Sequence, residues 1–141
     1  MKVKKLIEIK TNYSFEAPVL NAISPLERTT LKDEGQLPSL DLNSFLAPNP
    51  ERIYLVKVNG ESMIDEGIFS GDILIIDKSE KPKDGKIVIA ALNGEMAVKT
   101  LRIIDGNVYL FSANQKFLPI GIEEYMQFEI QGVVKHVIHN V

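Results

Sequence analysis

From residue 51 onward the chain is a succession of short runs rich in Val, Ile and Leu, each cut off by turn residues, and this pattern predicts strands rather than helices. Ile53-Tyr54-Leu55-Val56-Lys57-Val58 is one such run, and Asp72-Ile73-Leu74-Ile75-Ile76-Asp77 is the next, after the Ser70-Gly71 turn. Lys86 to Leu92 and Glu95 to Leu101 flank Asn93-Gly94, a dipeptide whose tolerance of left-handed backbone makes it a strong hairpin signal. Asp105-Gly106 then leads into Asn107-Val108-Tyr109-Leu110-Phe111, and Phe128 to Ile138 closes the series. No long amphipathic helix, internal repeat or low-complexity tract interrupts it. The prediction is a mainly β domain of hairpins over residues 51–141.

Residues 1–50 differ. They contain Pro18, Pro25, Pro38 and Pro48, with Pro50 at the boundary, a polar block from Glu27 to Gln36, and few continuous apolar runs. The expectation is an extended N-terminal arm, with one short helix over Leu40 to Leu46 capped by Ser39 or Asp41 and stopped by Pro48. Six basic residues (Lys2, Lys4, Lys5, Lys10, Arg28, Lys32) balance six acidic ones (Glu8, Glu16, Glu27, Asp33, Glu34, Asp41), so the arm is neither a basic DNA-binding tail nor an acidic one.

Composition narrows the chemistry. With 141 residues, 45% hydrophobic and 25% charged, the chain suits one ordinary domain with a real core. A net charge of −3 argues against direct DNA binding, which needs clustered Lys and Arg to neutralise phosphates. The absence of cysteine removes thiol nucleophiles, disulfides and Cys-based zinc sites. No run has the roughly 18 apolar residues of a membrane span, and Met1 to Lys10 lacks a secretory apolar segment, so a cytoplasmic protein is expected. Asp65, Asp72 and Asp77 are spaced acids around turns with no clustered histidine, which assigns them to turn chemistry and leaves neither a metal nor a cofactor to expect. His136 and His139, at the C-terminal end among Val and Ile, are expected to be solvated or packed strand residues.

Two residues stand out for reactivity. Ser62 lies in the Gly60-Glu61-Ser62-Met63 turn that follows a predicted strand, where a hydroxyl is exposed and backbone N–H groups can converge on an oxyanion. Such a serine is either an ordinary turn residue or a nucleophile. Lys99 is a single cation in the apolar run Met96-Ala97-Val98-Lys99-Thr100-Leu101, and strand alternation puts Ala97, Lys99 and Leu101 on one face. It either snorkels to water or is desolvated. To act as a base near pH 7 its pKa must fall by roughly 3 pH units, on the order of 4 kcal/mol, which burial can supply.

The stretch Val58 to Ile68 with Ser70 to Asp77, then Gly85 to Ala91, then Gly94-Glu95-Met96-Ala97-Val98-Lys99-Thr100-Leu101, resembles the LexA/UmuD-type self-cleaving serine peptidases, on their UmuD branch. The likeness runs from Asp41-Leu42-Asn43 to Gly132-Val133-Val134. It implies a LexA/UmuD-like peptidase domain with Ser62 as nucleophile, Lys99 as general base, and N–H groups near Gly60, Glu61 and Ser62 as the oxyanion hole. It also implies a cytoplasmic homodimer whose arm is trimmed under the influence of a RecA filament on single-stranded DNA. The trimmed dimer would then join a UmuC-like Y-family polymerase for translesion synthesis in the SOS response. Two relatives in chemistry fit less well. A LexA repressor needs a helix-turn-helix segment that the proline-broken residues 1–50 do not encode, and a signal peptidase, which also pairs Ser with Lys, needs a membrane anchor.

The family cuts between a small residue and glycine, commonly Ala-Gly or Cys-Gly, and neither dipeptide occurs in the arm. The candidates left are Glu34-Gly35, at the only arm glycine, and Leu26-Glu27, at the position given by gapless alignment on Asp41-Leu42-Asn43. The sequence therefore carries two functional expectations: a self-processing peptidase, or a non-cleaving UmuD-like binding subunit that regulates a polymerase or RecA.

Overall fold

The computed structural model of the chain describes residues 1–7, 16–18 and 39–141. It contains two compact units, one made of Met1–Ile9 with Pro50–Val141 and the other of Lys10–Asn49. In the smaller unit, β2 (Glu16–Pro18) pairs antiparallel with β3 (Ser39–Asp41), and α1 (Leu42–Leu46) follows directly. The helix starts two residues later than expected because Leu40 is engaged in the β3 ladder. Asp41 takes the N-cap position in extended conformation and accepts a hydrogen bond from the Ser44 hydroxyl at 2.7 Å. The candidate scissile bonds, Leu26-Glu27 and Glu34-Gly35, lie outside the described residues.

The larger unit is built on one antiparallel sheet: β1 (Lys2–Ile7), β4 (Ile53–Asn59), β5 (Ile73–Asp77), β6 (Ile87–Leu92), β7 (Glu95–Ile104), β8 (Asn107–Phe111), β9 (Ile120–Gly121) and β10 (Phe128–Ile138). Their order is β1-β4-β5-β10-β6-β7-β8-β9. Lys2 also pairs with Ala97, so β1 bridges β4 and β7 and joins the two ends of a six-strand circuit. Residues 1–7, expected in the arm, thus form a strand of the main sheet. The mainly β architecture agrees with the alternation and turn signals of the sequence.

Turn chemistry sets the register. Asn93 and Gly94 have φ of 50° and 85°, and Asp105 and Gly106 have 51° and 78°. These pairs of left-handed residues match the twist of a two-residue hairpin, and they join β6 to β7 and β7 to β8. Strand alternation then divides the apolar side chains between two cores. One contains Val56, Val58, Met63, Leu74, Ile89 and Val98; the other contains Val88, Ala90, Leu101, Leu110 and Val133. β6 separates them, with Ile89 on one side and Val88 and Ala90 on the other.

The long strand β10 runs along β6 through Phe128–Val133 and along β5 through Val133–Ile138, with a register shift near Gly132 where it passes from one to the other. Any Cβ at Gly132 would collide with Ile76 Cγ2 and stand 3.1 Å from the Asp77 carbonyl oxygen, so the crossing needs glycine. Among the described residues no helix is long and apolar enough to cross a membrane.

Candidate active site

Ser62 sits just beyond the end of β4. Gly60, with φ of 114°, takes the chain out of the strand, and a short 3-10 turn at Ile64–Glu66 carries it onward. Met63 inserts fully into the first core and its carbonyl accepts hydrogen bonds from Glu66 and Ile68, so the residue next to Ser62 anchors the turn. Ser62 itself is only 1% exposed, so the turn does not present its hydroxyl to solvent as the sequence context predicts; Met1 and the fully buried Met63 cover it. The Gly60 N–H donates to Ser70 Oγ at 3.3 Å, and Ser70 in turn donates to Asn59 Oδ1 at 2.5 Å.

Lys99 lies mid-strand in β7, opposite Val88 of β6. The side chain is half-buried, and burial lowers its pKa below the ordinary lysine value. Its Nζ donates to Ser112 Oγ at 2.6 Å and stands 5.7 Å from the centroid of the Phe117 ring.

One group is close to both residues. The α-amino group of Met1 hydrogen-bonds Ser62 Oγ, and its pKa is pushed down to about 6, first by burial and then by the positive charges of Lys99 and Lys2. The effect of the charges falls on the amine that titrates first, since Met1 loses its proton while Lys99 is still an ammonium. Met1 is held there by its carbonyl, which accepts from Val98 N–H at 2.7 Å, and by its side chain, which packs in the first core beside Met63. Ser62 and Lys99 are therefore brought into one site, but in this conformation the hydrogen bond of Ser62 is with Met1 and that of Lys99 is with Ser112.

The segment after β8 completes the site and was not expected from the residue pattern. Ser112 contacts Lys99, Ala113 accepts from Asp65 N–H at 2.9 Å, and Asn114 Nδ2 donates to the Glu61 carbonyl at 2.9 Å. A signal for Ser112 was present nonetheless. A two-residue turn at Asp105-Gly106 pairs Ile104 with Asn107 and Thr100 with Phe111, and one step further along the same register sets Ser112 opposite Lys99. Met1 had no comparable local signal.

Asp72, Asp77 and His139 make contacts within the scaffold. Asp72 is 2% exposed; it accepts from Phe69 N–H at 2.8 Å and lies 2.6 Å from His139 Nδ1. Burial pushes Asp77 upward, but hydrogen bonds from Ser79 and Glu80 and the charge of Lys135 outweigh it and leave its pKa below the ordinary aspartate value. Among the described residues no group of His, Asp and Glu is arranged to hold a metal ion.

Residues 23–135 match the family model described as Peptidase S24-like. The chain is 37% identical over 100 residues to the LexA repressor of Xylella fastidiosa (strain 9a5c), covering 71% of this chain and 46% of that protein. It is 41% identical over 96 residues to the LexA repressor of Dechloromonas aromatica (strain RCB), covering 67% of this chain and 46% of that protein. With LexA repressor 2 of Pseudomonas putida the identity is 42% over 80 residues, 57% of this chain and 40% of that protein. The chain spans less than half the length of these relatives.

Proposed function

We infer the function from the family to which the chain belongs, the S24-like peptidases, and propose that it is a self-cleaving serine peptidase with Ser62 as nucleophile and Lys99 as general base. The observation that carries this reading is a lysine whose burial favours the neutral amine, in one site with a buried serine on a strand-ending turn. Neutral Lys99 takes the proton from Ser62 Oγ as the oxygen attacks a peptide carbonyl. Because the Gly60 N–H is committed to Ser70, the N–H groups of Glu61 and Ser62 are the better placed donors for the oxyanion. Water then releases the acyl-enzyme. The contact between Ser62 and the Met1 amine must be exchanged first, since it occupies the hydroxyl.

In this proposal the protein acts as a UmuD-like SOS mutagenesis factor of the cytoplasm. A RecA filament on single-stranded DNA shifts the arm toward a conformation that presents a bond within it, at Leu26-Glu27 or Glu34-Gly35, to Ser62. The processed homodimer then serves a UmuC-like translesion polymerase. The sequence likeness on the UmuD branch supports this reading.

The test is incubation of the purified protein at alkaline pH, and separately with RecA, single-stranded DNA and a nucleotide. A fragment with a new N-terminus inside residues 18–40, lost in Ser62→Ala, is expected. An intact chain under every condition, with Lys99→Ala indistinguishable from wild type, overturns self-cleavage. The absence of Ala-Gly and Cys-Gly from the arm favours the second reading in that event, a binding subunit that regulates a polymerase or RecA without cutting itself.

A further inference from the structure

We propose that Ser112 is a positioning residue for Lys99: its hydroxyl accepts a hydrogen bond from Nζ and so aims the amine's lone pair toward Ser62. The inference rests on the Ser62 and Lys99 assignment above. Its own basis is geometric. The Asp105-Gly106 hairpin fixes the β7–β8 register, and the position opposite Lys99 falls at Ser112, one residue past the end of β8. Directly opposed residues of an antiparallel pair share a face with their Cβ atoms close, so the 2.6 Å contact between Lys99 Nζ and Ser112 Oγ follows from the ladder itself.

A neutral amine has two N–H groups and one lone pair, while the lysine side chain has four rotatable carbons on which to wander. One N–H anchored on Ser112 removes most of that freedom and leaves the lone pair for the serine proton. On β6, the residue opposite Lys99 is Val88, which offers no polar atom. The Phe117 ring covers Nζ without fixing its direction. The Met1 α-amine, on the β1 side, feels the charge of Lys99. Among the described residues, Ser112 is therefore the side chain whose hydrogen bond can orient the base.

The same segment holds the other half of the site. Asn114 donates to the Glu61 carbonyl and Ala113 accepts from Asp65 N–H, which ties residues 112–114 to the turn carrying Ser62. The path from Lys99 through Ser112 to Asn114 and Glu61 links the base to the nucleophile's turn by backbone and two side chains.

The test uses diisopropyl fluorophosphate on the full chain. Ser62 Oγ bonds to phosphorus, the P–F bond breaks, fluoride leaves, and the serine proton passes to Lys99, so the reaction requires the base but no scissile peptide. Labelling rate by intact mass is followed against pH for wild type, Ser112→Ala and Ser112→Thr. In parallel the Lys99 13Cε resonance, assigned by its loss in Lys99→Arg, is titrated by NMR. Ser112→Ala is expected to lower the high-pH plateau about tenfold, equivalent to a barrier rise of about 1.4 kcal/mol. It is also expected to move the Lys99 midpoint to lower pH, because an acceptor that favours the ammonium is gone. Ser112→Thr, which keeps the hydroxyl, is expected to restore both. A purely structural role would lower the plateau without moving the midpoint. Wild-type labelling with Ser112→Ala unchanged in plateau and midpoint overturns the inference alone; a wild-type Ser62 that takes no label at any pH overturns the dyad beneath it.

Discussion

Replacing Lys99 with methionine should move reactivity and stability in different directions. Methionine keeps the length of the side chain on β7 and removes the amine. Loss of a general base costs about 10²- to 10⁴-fold in rate, so diisopropyl fluorophosphate labelling of Ser62 should fall by that factor. Stability follows from the balance of forces on the amine. The 2.6 Å hydrogen bond to Ser112 and the Phe117 ring at 5.7 Å both favour an ammonium, the first by about 1.5–3 kcal/mol and the second by about 0.5–1 kcal/mol at an exposed site. Burial opposes them and prevails, since the pKa of Lys99 lies below its ordinary value. A charged Lys99 is thus a net burden on the folded state, and Lys99→Met should unfold within about 1 kcal/mol of wild type or above it. The sign with pH is fixed. Below its folded pKa the lysine is charged in both states and the burden is complete; as pH rises from that value toward 10.5, the unfolded chain binds more protons and the wild type gains on the variant. Urea unfolding across that range together with labelling by mass spectrometry measures both effects. A variant that labels at the wild-type rate, or that loses several kcal/mol of stability, refutes the account of Lys99 as a desolvated base.

Gly132→Ala should destabilise the domain by about 1–3 kcal/mol, because its methyl group meets Ile76 at the β10 crossing; an unchanged urea midpoint would show that β5 and β10 separate more easily than their packing implies. Asp77, whose pKa is held below 3.8, contributes stability that is present above that value and is lost as pH falls through its folded pKa. Asp77→Asn should flatten this part of the acid unfolding profile, and an unaltered profile would remove Asp77 from the balance.

How far the sequence reveals this fold depends on the range of the interaction. The strands β4 to β8 and β10 were legible because each is a dense apolar run, and Asn93-Gly94 and Asp105-Gly106, which take left-handed backbone, mark the turns from β6 to β7 and from β7 to β8. The strand β9 was missed because it has two residues, Ile120 and Gly121, and its existence depends on pairing with Tyr109 and Leu110 rather than on local propensity. For β1, charged Lys2, Lys4 and Lys5 obscured any apolar run, while its partners lie half a chain away in β4 and β7. Ser62 and Lys99 could be singled out by residue type and turn context, but Met1 at the hydroxyl could not, because only closure of the sheet circuit brings it there. Ser112 lay between these cases: the Asp105-Gly106 turn determines its partner, yet a serine past a strand end carries no signal until the register is counted across.

On the proposed assignment of Lys99 as the base, the fold also explains why a lysine suits this site. A lysine must be deprived of water to lose its proton near neutrality, and an edge strand would let it reach solvent. Lys99 is instead placed on β7, flanked by β6 on one side and, through Ser112, by the extension of β8 on the other, with Val88 opposite and Phe117 over Nζ. The Met1 amine, just ahead of β1, lies at the same spot: it hydrogen-bonds the serine hydroxyl, and the charge of Lys99 helps hold its pKa down to about 6. In the proposed mechanism this contact matters because it occupies the nucleophile. Reaction at Ser62 consequently needs more than the right pH. In that proposed reaction Met1, fixed by the Val98 N–H and the packing of its side chain, must yield its place at Oγ to the incoming carbonyl.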